Sequence, residues 1–247
     1  MVKCLGIIVQ AHMGSTRLPN KMLKNLCGKS VVGHVISRLK LVNNAEKLII
    51  ATSDLSADDL LVKECEKYDV AVVRGSDSDV LARFYKAAKE HNLTDVVRIC
   101  ADNTLVDWNL LAKEIDEYQK HENIVVVPGD NVPLGLGGEI FSFSMLEEAY
   151  ENGKEHYHRE HVTPYIYEHH NNVVKVDYKE NYRKYRLTLD TGADWELIQR
   201  IYSSLYDGNN EITFEQVAEI LQKNPVWVDI NSHIKQKSVK AESVIDV

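Results

Sequence analysis

Cysteine is scarce in this chain: four in 247 residues, Cys4, Cys27, Cys65 and Cys100, with no C-x-x-C pair among them. That spacing signals neither a zinc site nor a disulfide framework, so free thiols are expected. A basic excess is missing too. With 29 Lys and Arg against 37 Asp and Glu, the formal charge is −8, which argues against a general nucleic-acid or membrane-surface binder, because those present a net basic face. No run approaches the roughly 20 apolar residues of a membrane span, and the opening segment is too short for a signal sequence with its flanks. A cytoplasmic protein without nucleic-acid or membrane partners is the expectation. Repeats and low-complexity tracts are absent. Two nucleotide-binding fingerprints also fail: no G-x-G-x-x-G follows the first apolar run, and Gly28-Lys29-Ser30 lacks the first Walker A glycine, with Leu23 in its place. An anionic ligand would therefore need a local cationic pocket.

What is present is an alternation. Short β-branched runs at Leu5–Val9, Lys47–Ala51, Val70–Val73, Val96–Cys100 and Ile124–Val127 are separated by helical-period segments at Val31–Leu41, Asp58–Tyr68, Val80–His91 and Leu110–His121. This order predicts an α/β fold with a parallel sheet covered on both faces. Ligands of such sheets bind outside the carboxyl ends of the strands, which would gather Gln10–Lys21, Thr52–Asp54, Arg74–Ser76 and Ala101–Asn103 around one crevice. Beyond Pro128 the alternation breaks. A Gly-rich turn, a strand at Glu139–Phe143, a helical stretch near Met145–Tyr150 and a His/Tyr-rich segment read as an insertion or flap over about 129–180, plausible as a subunit interface. A last strand, Arg186–Leu189, then leads into a helix near Trp195–Tyr206. One domain over 1–232 with a frayed tail at 233–247 is expected.

Gln10–Lys21, reading Q-A-H-M-G-S-T-R-L-P-N-K, carries the chemistry. Gly14, Ser15 and Thr16 let the backbone approach a phosphate and offer N–H and hydroxyl donors, while Arg17 and Lys21 supply positive charge. Asp102 and Asp190 each end an apolar run. Two carboxylates at strand ends can hold Mg²⁺, which prefers oxygen ligands and is shared with substrate phosphates. Each also precedes a helical segment, so helix N-capping is the alternative for either alone. His156, His158 and His161 lack the H-E-x-x-H spacing of a zinc site, and a polar surface facing a partner or substrate fits them better.

These residues resemble the cytidylyltransferases of the spore-coat polysaccharide and acylneuraminate group, relatives of the enzyme that makes CMP-3-deoxy-manno-octulosonate. The matching segments, besides the first loop, are G-K-S at 28–30, A-T-S-D at 51–54, V-R-G-S-D-S-D-V-L-A-R-F-Y at 73–85 and R-I-C-A-D-N at 98–103. G-G-E-I-F-S-F at 137–143, R-E-H-V-T-P-Y-I at 159–166 and L-T-L-D-T-G-A-D-W-E-L-I at 187–198 follow in the family's order. The resemblance implies a nucleotide-diphosphosugar transferase fold, a Rossmann-like three-layer sandwich of GT-A type, usually in homodimers. It also implies the reaction: CTP and an acidic sugar or similar anionic acceptor give a CMP conjugate and pyrophosphate. Carried onto this chain, it assigns the nucleotide to Ala11, His12, Met13, Gly14, Ser15, Thr16, Arg17, Lys21, Thr52, Arg74, Ser76 and Arg98, with Arg74 and Ser76 near the cytosine. Arg17, Lys21 and Asp102 would be catalytic, Asp102 and Asp190 would ligate Mg²⁺, and Glu139, Arg159, Glu160 and His161 would face the acceptor or a dimer partner.

Three residues depart from the pattern. His12 stands where the family reads Q-A-R-M-G-S, exchanging a permanently charged fork for an imidazole. Thr104 replaces the proline of G-D-C-P, and Gly137 replaces the acidic residue of G-L-D-V-E. Metal binding is expected to survive these changes, whereas triphosphate activation and acceptor choice are exposed to them. The alternatives are a nucleotide-binding homologue with impaired catalysis, or a nucleotidyltransferase that uses another NTP.

Overall fold

The computed structural model describes residues 3–236; of the tail expected over 233–247, residues 237–247 lie outside the described residues. The chain begins with β1 (Leu5–Gln10), a ribbon of β2 (Asn25–Leu26) and β3 (Lys29–Ser30), and α1 (Val31–Leu39). Three strand–helix units follow: β4 (Lys47–Ser53) with α2 (Asp59–Glu66), β5 (Ala71–Gly75) with α3 (Val80–Glu90), and β6 (Asp95–Cys100) with α4 (Trp108–Tyr118). Then come β7 (Val125–Pro128), β8 (Glu139–Ser142), α5 (Phe143–Asn152), α6 (His156–His161), α7 (Pro164–His169) and β9 (Val173–Val176). Three helices close the fold: α8 (Gly192–Leu205), α9 (Phe214–Lys223) and α10 (Pro225–Ser232). Among the described residues, no helix is long and apolar enough to cross a membrane.

The main sheet has the order β5-β4-β1-β6-β8-β7-β9. Pairing is parallel from β5 through β6 and between β7 and β9, while β8 runs antiparallel to both its neighbours. Both faces of β1 are buried, which is why its sequence reads as an almost unbroken apolar run. One face packs Ile7 and Val9 against Val35 and Leu39 of α1, Leu61 of α2 and Leu111 and Ile115 of α4. The other packs Ile8 and Ile49 against Phe84 of α3, Leu146 of α5 and Ile166 of α7. Helices α8 to α10 build a third cluster around Leu197, Ile201 and Phe214. The layers therefore match the three-layer α/β expectation.

Local chemistry sets the helix starts. Asp79 caps α3 by accepting from the Ala82 N–H at 2.9 Å, and Asp107 caps α4 by accepting from Asn109 N–H at 3.1 Å. Thr191 and Asp194 form a capping box at α8. Neither Asp102 nor Asp190 is thus needed as a cap, and both remain free for the site.

Two expectations need correction. Arg186–Leu189 is not a strand of the sheet; only an isolated bridge joins Arg186 to Leu134. The segment is extended because loops take its donors: Leu187 N–H goes to Leu134 O at 2.8 Å and Leu189 N–H to Asp102 O at 2.9 Å. Gly135 (φ +102°) makes this approach possible, since a Cβ there would lie 2.6 Å from Thr188 N. The segment read as an insertion or flap supplies, besides the expected strand at β8, an edge strand that was not expected, β9. The half-exposed V-V-K-V of β9 gives too weak an alternation to be read as a strand.

Candidate active site

In-register pairing of β1 with β6 sets Gln10 beside Cys100, so the first loop and the 101–103 turn leave the sheet together. Lys21, only 6% exposed, reaches back from the first loop to this point. Its Nζ donates to Leu189 O at 2.8 Å and lies 3.2 Å from both Asp102 Oδ2 and Asp190 Oδ1. Burial alone would lower the Lys21 pKa; attraction to Asp102 and Asp190 outweighs it and holds the pKa above the ordinary lysine value. Arg17 Nη2 approaches Asp190 Oδ1 at 3.4 Å, and Arg186 Nη2 approaches Asp190 Oδ2 at 3.0 Å. Arg186 is itself held by Asp194, whose carboxylate also accepts from Asn231 and from the backbone N–H groups of Asp190 and Thr191. Burial acts to raise the Asp194 pKa, but these donors bring it below the usual carboxylate range.

Two cavities meet here and share Gln10, Cys100, Asp102 and His161. The smaller, about 370 Å³, runs from Ala11, His12 and Lys21 to Asp77, Ser78, Val80, Arg83, His156 and Glu160. The larger, about 870 Å³, lies between the 133–139 loop, the start of α7 and Arg17, Arg98, Arg183 and Asp190. Cys100 lines both, yet burial pushes its thiol up to about 12, so it is a wall and not a nucleophile. In the larger cavity Glu139 binds Arg98, Tyr167 and Thr163, the last at 3.2 Å. Behind that loop stands Glu114, fully buried: Oε2 accepts from Gly138 N–H at 3.1 Å and Oε1 has no partner. A Cβ on Gly137 would lie 2.6 Å from that Oε1, so the glycine and the carboxyl occupy the space together. Burial raises the Glu114 pKa well above the ordinary value.

His161 and Thr163 flank a strained turn. Val162 has φ 69° and ψ −58°, and Thr163 N–H donates to His161 O at 2.8 Å, closing a γ-turn that β-branched residues rarely adopt. Complete burial of Val162 in the apolar layer sustains it.

The expected residues divide into those that wall the cavities and those that do not. Ala11, His12, Lys21, Arg17, Arg98, Asp102, Asp190, Glu139, Glu160 and His161 do so. Gly14, Ser15 and Thr16 stay on the outer part of the first loop, and Met13 is tied by its N–H to Asp58 Oδ1 at 2.7 Å. Thr52 is buried and donates to Asp58 Oδ2 at 2.9 Å. The Arg74 guanidinium is spent on Asp59 and on the carbonyls of Ser53 and Leu55. Ser76 borders a neighbouring cavity that touches the smaller one only through Arg83. Arg159 clamps Asp79 and donates to Tyr150 O at 2.9 Å. Sequence reasoning passed over Arg186 and Asp194, although their four-residue steps from Asp190 are a readable signal, and over Glu114, which has none.

A mainly parallel α/β sheet with a cationic loop after its first strand, opening on a lysine held between two carboxylates, places the chain among the nucleotidyltransferases. The comparisons narrow this. Residues 6–232 match the family model for cytidylyltransferases, and the chain belongs to that family. It is 41% identical over 244 residues to the uncharacterized protein MJ1063 of Methanocaldococcus jannaschii, covering 97% of this chain and 98% of the relative. The spore coat polysaccharide biosynthesis protein SpsF of Bacillus subtilis is 32% identical over 230 residues, 88% of this chain and 94% of its own. A solved cytidylyltransferase from Leptospira borgpetersenii serovar Hardjo-bovis superposes with a TM-score of 0.87 at 28% identity, over 96% of this chain and 100% of that one.

Proposed function

We propose that the protein transfers CMP from CTP to an acidic sugar or related anionic acceptor, with Mg²⁺ and with release of pyrophosphate, in surface-glycan biosynthesis. The observation that carries this reading is the meeting of two cavities at Asp102, beside Lys21. The smaller suits a nucleotide, and the larger presents Arg17 and Arg183 to an anion. The relationship to a spore coat polysaccharide biosynthesis protein supports a glycan precursor as acceptor.

In the reaction an acceptor oxygen bonds to the α-phosphorus, the bond from that phosphorus to the pyrophosphate oxygen breaks, and the acceptor hydroxyl proton is released. Charge grows on phosphate oxygens, so fixed cations do most of the work. Lys21 and Arg17 would supply them. Among the described residues no group of three or more His, Cys, Asp or Glu could hold a metal, so the protein would contribute the carboxylates of Asp102 and Asp190 alone. Two carboxylates completed by phosphate and water suit Mg²⁺. Bound there, the metal would supply charge neutralisation of the triphosphate. Lys21 occupies the gap between these carboxylates and would pass to a phosphate oxygen when nucleotide and metal enter. The test is pyrophosphate release from CTP, with and without Mg²⁺, across a panel of sugar acids; no turnover with any pair by the folded protein rejects the reading.

A further inference from the structure

Arg83 of α3 is a buried cation whose fork is only half used. It is 3% exposed and walls the smaller cavity. Nη1 donates to Ser76 O at 2.8 Å and Asp77 O at 3.0 Å, yet Nε is buried without any partner. No ion pair to Arg83 occurs among the described residues. An unfilled donor on a buried guanidinium is costly, and such groups in a cleft mark a place that a ligand completes.

The surroundings say which part of a nucleotide belongs there. Asp77, Asp58, Asp79 and Asp54 all act on Arg83 from beyond ion-pair distance. These carboxylates oppose a polyanion, whereas Lys21 at the other end of the cavity favours one. Val80 adds an apolar wall beside Arg83 that suits the face of a ring.

We propose that Arg83 selects the base, its free guanidinium edge donating to the adjacent O2 and N3 acceptors of cytosine. Uracil presents N3–H at the second position, so the same edge meets a donor and one hydrogen bond is lost with a clash in its place. The role expected of Arg74 and Ser76 thus passes to a residue one helix turn into α3. Ser76 contributes its carbonyl as a brace for the fork. The inference rests on the proposed CTP-dependent reaction and names the determinant of its nucleotide choice.

The test is calorimetric titration of CTP and of UTP, with Mg²⁺, into wild type, Arg83→Gln and Arg83→Lys, each checked for a cooperative melt. Wild type should prefer CTP. In Arg83→Gln the CTP affinity should fall by about 10–100-fold while UTP changes little, so that the preference collapses. A parallel loss for both nucleotides would make Arg83 a brace of the 76–77 loop and overturn the proposal, as would an unchanged preference. Arg83→Lys keeps the charge without the fork and decides the matter if the glutamine variant does not fold: retained preference overturns the proposal, lost preference supports it. Wild type that binds CTP selectively but releases no pyrophosphate rejects the proposed reaction and leaves the role of Arg83 standing. Wild type without preference for CTP rejects Arg83 as a selector.

Discussion

Lys21 Nζ stands 3.2 Å from Asp102 Oδ2 and 3.2 Å from Asp190 Oδ1, one ammonium shared by two carboxylates that are far apart in the chain. Lys21→Met should lower kcat/KM by about 10²–10³-fold and destabilise the fold by roughly 1–3 kcal/mol, less than is usual for breaking a buried pair because Arg17 and Arg186 still cover Asp190. The pKa of Lys21 is raised on folding, so its contribution is complete below the unfolded value near 10.5 and is lost as pH rises through the folded value. Denaturant melts of wild type and variant should therefore converge only in strong alkali.

Asp102→Asn should keep the fold, because Asp190 retains Lys21, and should abolish Mg²⁺-dependent pyrophosphate release. Full activity with an unchanged Mg²⁺ titration would remove Asp102 from the metal site.

Glu114→Gln should stabilise the protein at neutral and higher pH with little change in turnover. The folded pKa of Glu114 is raised, so the unfolded chain binds fewer protons than the folded one between the two values. Stability is therefore lost as pH climbs from the unfolded value near 4.5 toward the folded one. The amide carries no proton to lose, and the gap between wild-type and variant melting temperatures should widen with pH over that window. A constant gap would mean that Glu114 is already ionised in the fold.

His12→Arg should raise activity above pH 7, where an arginine still carries its charge. An identical pH profile for the two proteins would show that His12 makes no contact with phosphate.

Arg159→Lys should lower the melting temperature through loss of the forked contact with Asp79, at about 1 kcal/mol, and leave the acceptor KM unchanged. A raised acceptor KM without a stability change would return Arg159 to the acceptor site.

Much of this molecule was legible in its sequence, for reasons that differ from part to part. Parallel strands buried on both faces read as plain apolar runs, so β1, β4 and β6 stood out, and the loop after β1 had to open at the sheet's carboxyl edge. The rule of strand ends placed Asp102 at the crevice, where the two cavities meet. Applied to Thr52 and Arg74 it misled, because Asp58 and Asp59 at the start of the next helix capture both side chains, and sequence spacing does not show who wins such a competition. The Leu187-Thr188-Leu189 alternation looked like a strand, yet its donors go to the 102 and 134 loops, a tertiary choice invisible locally. The burial of Arg83 depends on how α3 lies on the sheet, which local sequence does not show.

β8 has consequences for how the molecule comes into being. Residues 139–142 lie between β6 and β7, so the sheet is continuous only after the chain has gone past that position, formed β7 and turned back to fill the gap. Such non-local pairing is slow because loop closure must come before its reward. Glu139, which opens β8 and walls the larger cavity, is thereby tied to a late event in folding. A nascent chain could assemble the phosphate loop well before it possesses an acceptor site, and deleting the 129–180 segment would bare the edge of β6 and strand β7 without neighbours instead of leaving an enzyme that lacks a lid.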